Sequence, residues 1–394
     1  VQYINPVLRE NVKLIDNKKN KPTSLLAIEP KNLAQTSWFR EDFSESSSSL
    51  DGLIQPLMSD INDSSSSLGG IQIPDKDRYI GIKVNVDVAD SVRKNQWITF
   101  TARISDSYGH YTNVELGEIA TGTHFKETSE ILSAALPSQF NLIPPLLLTS
   151  VFLTASPSSN IPSGSVHINS LISGDDTISE SYTDISQFND IQQWQLLPHP
   201  TETPDSLKIS PNFTGADLSG LTFSWSSDLS NDPRGIFIPT GQFPLPAISN
   251  PEFTVGEIVH IQSGRELIPL KIVGTTRFFP TIKPRLQPFF IVSVNEYINY
   301  ATRIGRPYKG PDEFWISLED DADRKYITST FNDTLSDFIV LKDRDSAVSM
   351  ALNNPLAGGA WRSLTLIAIF VLILTSLIAL TTHSVLTSYR TRLD

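Results

Sequence analysis

The densest set of oxygen ligands along the chain is Glu319, Asp320, Asp321 and Asp323. Carboxylates so close together could hold a hard cation such as calcium, which takes about six to eight oxygens. The run lacks the glycine and distal glutamate that close an EF-hand loop, and it also suits a helix start, where the dipole favours negative charge. A helix over 321–330 is expected there. Six histidines, His110, His124, His167, His199, His260 and His383, stand singly, with no second ligand or nucleophile at a recognisable spacing. Arg40, Glu41 and Asp42 follow Trp38 and Phe39, which reads as a solvated turn with an aromatic anchor or, alternatively, a ligand contact. Cysteine is absent, which excludes a thiol nucleophile, thiolate-bound zinc and disulfides. There is no Gly-rich Lys-Ser/Thr loop, no G-x-S-x-G elbow and no H-E-x-x-H helix. Neither catalysis nor a bound cofactor or metal is expected. The net charge of -12 over 394 residues argues against nucleic acid as a partner, since that needs a basic surface.

The strongest physical signal is apolar. Residues 363–383 contain no Asp, Glu, Lys or Arg. About 21 residues at ~1.5 Å each span roughly 31 Å, one hydrocarbon thickness. A core helix rarely stays apolar on every face for that length. Trp361 opens the segment and Tyr389 lies just past it, as in an aromatic belt. Arg390 and Arg392 follow the span and Arg362 precedes it, so the positive-inside bias puts residues 1–360 outside the cytoplasmic membrane and Asp394 inside. A polar helix over 343–354 leads to the span, and Pro355, Gly358 and Gly359 read as a break that hinges or re-aims it. The chain opens at Val1 with no leader pattern, and further sequence is expected beyond both ends.

Four segments must position these features. Residues 1–76 carry a strand at 24–28, a helical reading through 31–39 and an apolar helical stripe from Leu50 to Ile61. Residues 77–190 alternate as short strands separated by turn signals, with Ile80, Ile82, Val84, Val86 and Val88 on one strand face; this pattern suits an antiparallel sandwich. Removing that module is expected to leave the rest folded. Residues 191–345 mix strands, including 221–225, 235–238, 258–261, 267–273, 289–294, 313–318 and 337–341, with a helix near 295–303, an α+β pattern. Residues 346–394 hold the juxtamembrane helix and the span.

The order of several blocks resembles the FtsX-like, MacB-type permeases of ABC transporters. Val255 to His260, Leu270 to Gly274 and Phe279 to Ile282 are similar to a block of that family's periplasmic core domain. Pro244 to Phe253 is similar to the segment before it. Leu26 to Pro30 and Ser37 to Phe43 resemble its early part. Leu341 to Asp345, the span and Ser388 to Asp394 resemble the family's second transmembrane entry. The resemblance implies a MacB-like periplasmic core (1–76 and 191–345) interrupted by a jelly-roll-like β-sandwich (77–190) and followed by one transmembrane helix. It further implies an ABC ATPase subunit, separate or fused elsewhere, a homodimer or pseudo-dimer of permeases, and an exported substrate or extracytoplasmic partner. The chain would then couple ATPase-driven helix motion to export or signalling. The alternative is a cell-surface carbohydrate- or protein-binding sandwich held by one membrane anchor.

Overall fold

The computed structural model describes residues 1–394 apart from 17–18, 45–48, 59–68, 92–94, 127, 138–141, 157–159, 176–181, 188–192, 200–204, 211–219, 230, 265, 283–286, 307–308, 320, 336–338, 353–354 and 391–394. The chain opens with a long hairpin. Strand β1 (Tyr3–Asp16) pairs antiparallel with β2 (Lys19–Ile28), from Val7↔Ile28 to Asp16↔Lys19. A 3-10 turn over Pro30–Asn32 leads into the short α1 (Leu33–Thr36), and α2 (Leu50–Ile54) follows. The Ser49 hydroxyl caps α2 by accepting the Gly52 N–H at 3.1 Å. The apolar stripe does not run as one helix to Ile61. It gives way at a 3-10 turn over Gln55–Leu57, because Pro56 has no N–H to donate and its ring clashes with the preceding turn. Ile61 lies outside the described residues.

Twelve strands then build a sandwich: β3 (Ile71–Ile73), β4 (Tyr79–Val88), β5 (Trp97–Ser105), β6 (Tyr111–Ala120), β7 (Glu130–Ala135), β8 (Leu146–Ser156), β9 (Gly164–Gly174), β10 (Thr183–Gln187), β11 (Gln195–Leu196), β12 (Ser206–Ser210), β13 (Gly220–Trp225) and β14 (Arg234–Phe237). One sheet runs β12-β13-β9-β4-β7 with β10 on β9; the other runs β11-β14-β8-β5-β6 with β3 on β8. Ile80, Ile82, Val84, Val86 and Val88 of β4 face Ile98, Phe100, Ala102 and Ile104 of β5 in one core. The sandwich therefore extends past the expected boundary at 190. Strands β13 and β14, read from sequence as part of the α+β segment, join it through Leu221↔Ile168 and Ile236↔Val151. Sheet membership is fixed by such distant pairings, which alternation along one strand does not encode.

The remaining strands complete the first sheet. They are β15 (Leu245–Ser249), β16 (Ile258–Ser263), β17 (Glu266–Thr275), β18 (Phe289–Ser293) and β19 (Glu313–Ser317), with α3 (Val294–Arg303) after β18. The order is β16-β17-β15-β18-β2-β1-β19, with β15–β17 and β18–β2 parallel. The start of β1 pairs with β19 and its end pairs with β16, at Lys13↔Gln262. The sheet thus closes into a barrel with β19 as an extra edge strand. Leu8, Leu25, Ala27, Ile261, Leu270 and Val292 form one core with Tyr297 and Tyr300 of α3. Leu26, Ile28 and Ile291 face the other way and are covered by Leu33, Leu53, Ile54 and Leu57. Burial on both faces explains why these strands read as continuous apolar runs.

Residues 319–394 form a second unit. It contains α4 (Arg324–Leu335), α5 (Arg344–Leu352) and α6 (Pro355–Arg390). The expected helix over 321–330 starts later, at Arg324, because Asp323 caps it by accepting the Tyr326 N–H at 3.0 Å. Asp343 caps α5 through the Ser346 N–H at 2.9 Å, and Arg324 pairs with Asp345. Of the strand expected over 337–341, residues 337–338 lie outside the described residues, and Ile339, Val340 and Leu341 are in neither helix nor strand. The stretch Trp361–Arg390 of α6, 30 residues containing an 18-residue window of mean hydropathy 2.7, is long and apolar enough to cross a membrane. Arg362, Tyr389 and Arg390 lie on it, and Arg392 lies outside the described residues. Helix α5 ends at Leu352 and α6 begins at Pro355, the first residue of the expected break, and α6 runs through Gly358 and Gly359. Pro355 is its first residue, where a missing N–H does no harm, and each glycine's cost of about 1 kcal/mol is outweighed by propagation into the long helix.

Candidate functional site at the seam of sandwich and barrel

Sandwich and barrel share buried side chains. In β5, Phe100, Ala102 and Ile104 point into the sandwich core, so Arg103 points out of it, yet Arg103 is only 4% exposed. Its guanidinium lies 4.9 Å from each of the Tyr111 and Phe152 ring centroids. Its Nε donates to Asn113 Oδ1 at 2.9 Å, and its Nη1 donates to the Arg303 carbonyl at the end of α3. The Tyr111 hydroxyl donates to the Gly305 carbonyl at 2.9 Å. Sandwich side chains thus satisfy carbonyls at the barrel helix's C-terminus, where a cation is also favoured by the dipole. Gly305 has φ 101°, and a Cβ there would sit 2.6 Å from Arg103 Nη2, so the close approach needs glycine.

Arg303, the last residue of α3, makes the reciprocal clamp. Its Nη1 donates to the Ile238 carbonyl at 2.6 Å and to the Gly69 carbonyl. Gly69 lies just before β3 and Ile238 just after β14, so one guanidinium ties the segments that enter and leave the sandwich. Phe152, Leu197 and Phe237, all from the sandwich segment, belong to the barrel's apolar core. Phe237 packs edge-on against Phe243 at 5.4 Å and Tyr300 at 5.7 Å.

A cavity of about 290 Å³ opens in this seam, with Ser105, Asp106, Tyr111, Thr240, Asn299 and Arg303 among its walls. Asp106 is saturated by its own loop: Oδ1 accepts the Tyr108 and His110 N–H groups at 2.9 Å, and Oδ2 lies 3.1 Å from His110 Nδ1. Burial raises its pKa, but these hydrogen bonds outweigh burial and hold the carboxyl below its ordinary 3.8. Burial pushes Arg103 and Arg303 down to about 10, so both stay cationic at neutral pH. Comparison with protein-family models, curated proteins and solved structures returns no match.

A second network lies at the barrel. Glu10 accepts from the Tyr297 hydroxyl at 2.7 Å and the Ser263 hydroxyl at 2.9 Å, with Arg306 at 3.3 Å and Lys309 at 3.5 Å. Within the sandwich, fully buried Arg234 bonds Asp205 at 3.0 Å and Asp228 at 2.8 Å, and His199 lies 3.4 Å from Asp228.

The residues singled out from sequence do not converge here. His110 serves the Asp106 loop, His124 meets Asp87 at 3.0 Å, and His167 meets Thr222 at 3.0 Å. Arg40 pairs with Asp42 at 2.6 Å and lies over Phe43, a charged turn on an aromatic anchor. Among the described residues no group of three His, Asp or Glu could hold a metal. Trp361, Arg362, Pro355, Gly358, Gly359, Tyr389 and Arg390 all lie on α6. The sequence reading missed Arg103 and Arg303. A usable signal was the run from Leu146 to Leu153, apolar on both faces, which implies that something packs on the sandwich exterior.

Proposed function

We propose that this chain is the extracytoplasmic part of an FtsX/MacB-type ABC transporter permease, passing ATPase-driven membrane motion to an external domain. The observation that supports this most is where the first unit's strands begin and end. The Gln2 N–H donates to the Ser317 carbonyl at 2.9 Å, and β1 and β19 run antiparallel from that point. A unit whose first and last strands meet at one end suits insertion between two membrane helices of such a permease. The chain leaves β19 for two short helices and then α6, which can span a bilayer. No charged side chain interrupts residues 363–383, so the span offers no ion path and suits force transfer. The partners in this reading are an ABC ATPase and a second permease half, and the mixed barrel with its inserted sandwich takes the place of the family's periplasmic core. The seam cavity favours a second reading, a membrane-tethered binding module with no ATPase.

Inserting about ten Gly/Ser residues between Leu352 and Pro355 in the complete transporter distinguishes them, because mechanical coupling needs a continuous stiff element. Transport or signalling should be lost while ATPase activity and folding persist. Full transport with the insertion, or failure of any ABC ATPase to co-purify with the protein, would overturn the permease reading.

A further inference from the structure

The seam cavity carries an inference that stands whether or not the chain is a permease. Elsewhere in this protein, Arg9 shows how a guanidinium takes a carboxylate. Its Nε meets Glu313 Oε1 at 2.7 Å and its Nη2 meets Glu313 Oε2 at 3.2 Å, the bidentate fork such pairs prefer. Among the described residues Arg303 makes its hydrogen bonds through Nη1 alone. Its Nε is buried with no partner among them, and the residue is only 7% exposed. The same cavity wall holds Thr240, whose hydroxyl is also buried without a partner. A buried donor left unmade costs about 1–3 kcal/mol, and more when charged.

Charge points the same way. Neither Arg103 nor Arg303 has an ion-pair partner among the described residues; Glu266 acts on Arg103 only through its field. Arg103 is offset by the carbonyl end of α3, which leaves Arg303 as the cation in the cavity wall that no described carboxylate pairs with. Asp106 is ionised in the same wall, its oxygens already taken by its loop. A dianion such as phosphate would be repelled there, whereas a single carboxylate fits one guanidinium edge. The other walls are rich in hydroxyls and amides: Ser105, Tyr111 and Asn299.

We propose that the seam cavity binds a small hydroxylated carboxylate, an acidic sugar or a hydroxy acid, whose carboxylate sits on the Nε edge of Arg303 and accepts the Thr240 hydroxyl. Because Arg303 also holds Gly69 and Ile238, such a ligand would bear directly on both ends of the sandwich.

The test is calorimetric titration of the full chain in detergent at pH 8 with glucuronate and gluconate, against glucose and inorganic phosphate as neutral and mainly dianionic probes. The acids should bind saturably and at least about tenfold more tightly than glucose or phosphate, the loss expected for one charge-assisted hydrogen bond. Thr240→Val should weaken the acids by about fivefold with an unchanged melting temperature. Arg303→Lys should weaken them about tenfold or more, because an ammonium cannot form the fork. If Arg303→Lys does not fold, Thr240→Val alone decides. Acids that bind no better than glucose, phosphate that binds more tightly than they do, or a folded Thr240→Val with undiminished acid affinity would each overturn the proposal.

Discussion

Phe237 lies on a sandwich strand but fills the barrel core, so its truncation measures how far the two act as one body. The side chain is fully buried. Phe→Ala at such a site costs about 3–5 kcal/mol through lost transfer energy and the cavity left behind. The edge-on contacts to Phe243 and Tyr300 add about 0.5–1.5 kcal/mol per pair beyond area, which places Phe237→Ala near the top of that range, about 4–5 kcal/mol. Against a usual domain stability of about 5–15 kcal/mol, the loss is large. The assay is native-state hydrogen exchange of the full chain in detergent, read on peptides from β4 in the sandwich and from β18 in the barrel. One cooperative body predicts that Phe237→Ala lowers protection in both peptides by the same free energy. Excision of the sandwich should then leave an unstable barrel, contrary to the separable module expected from the strand pattern. Unchanged protection of Phe289–Ser293, or a loss below about 1.5 kcal/mol, would refute the shared-core argument.

Two further outcomes follow from the geometry. Burial raises the Glu10 pKa, but Tyr297, Arg306, Ser263 and Lys309 together outweigh it and bring it below the ordinary 4.5. A folded-state pKa below the unfolded one gives stability that is present above about pH 4.5 and lost as pH falls through the folded value. Glu10→Gln should therefore lower the melting temperature at pH 7, by the equivalent of about 1–3 kcal/mol, and flatten its fall as the pH drops below the ordinary 4.5; a variant with an acid profile parallel to wild type would refute the assignment. The chain's lack of cysteine makes orientation directly readable. In right-side-out vesicles an impermeant maleimide should label a cysteine placed at Leu229, which is 84% exposed, but not one placed at Tyr389; the opposite pattern would reverse the topology.

What the sequence determined was local. The apolar stretch of α6, the alternation of Tyr79–Val88 and Trp97–Ser105, and the helix ending at Arg303 were legible, because period and hydropathy are properties of neighbouring residues. Strand β1 was not: its sequence from Tyr3 to Asp16 mixes Pro6, Arg9, Glu10 and Lys13 with its apolar positions. It is a strand because β2, β16 and β19 all pair with it. The extent of the sandwich to Phe237 likewise rests on partners distant in sequence, such as Leu221↔Ile168, 53 residues apart, and Ile236↔Val151, 85 residues apart. The seam was least legible of all. In sequence Arg103 is one polar residue on an alternating strand and Arg303 one basic residue at a helix end. Only tertiary packing brings the two guanidiniums to the same helix terminus, 200 residues apart in the chain, and buries them there. A charge's burial and its partners are set by everything that surrounds it in space, and no local pattern carries that information.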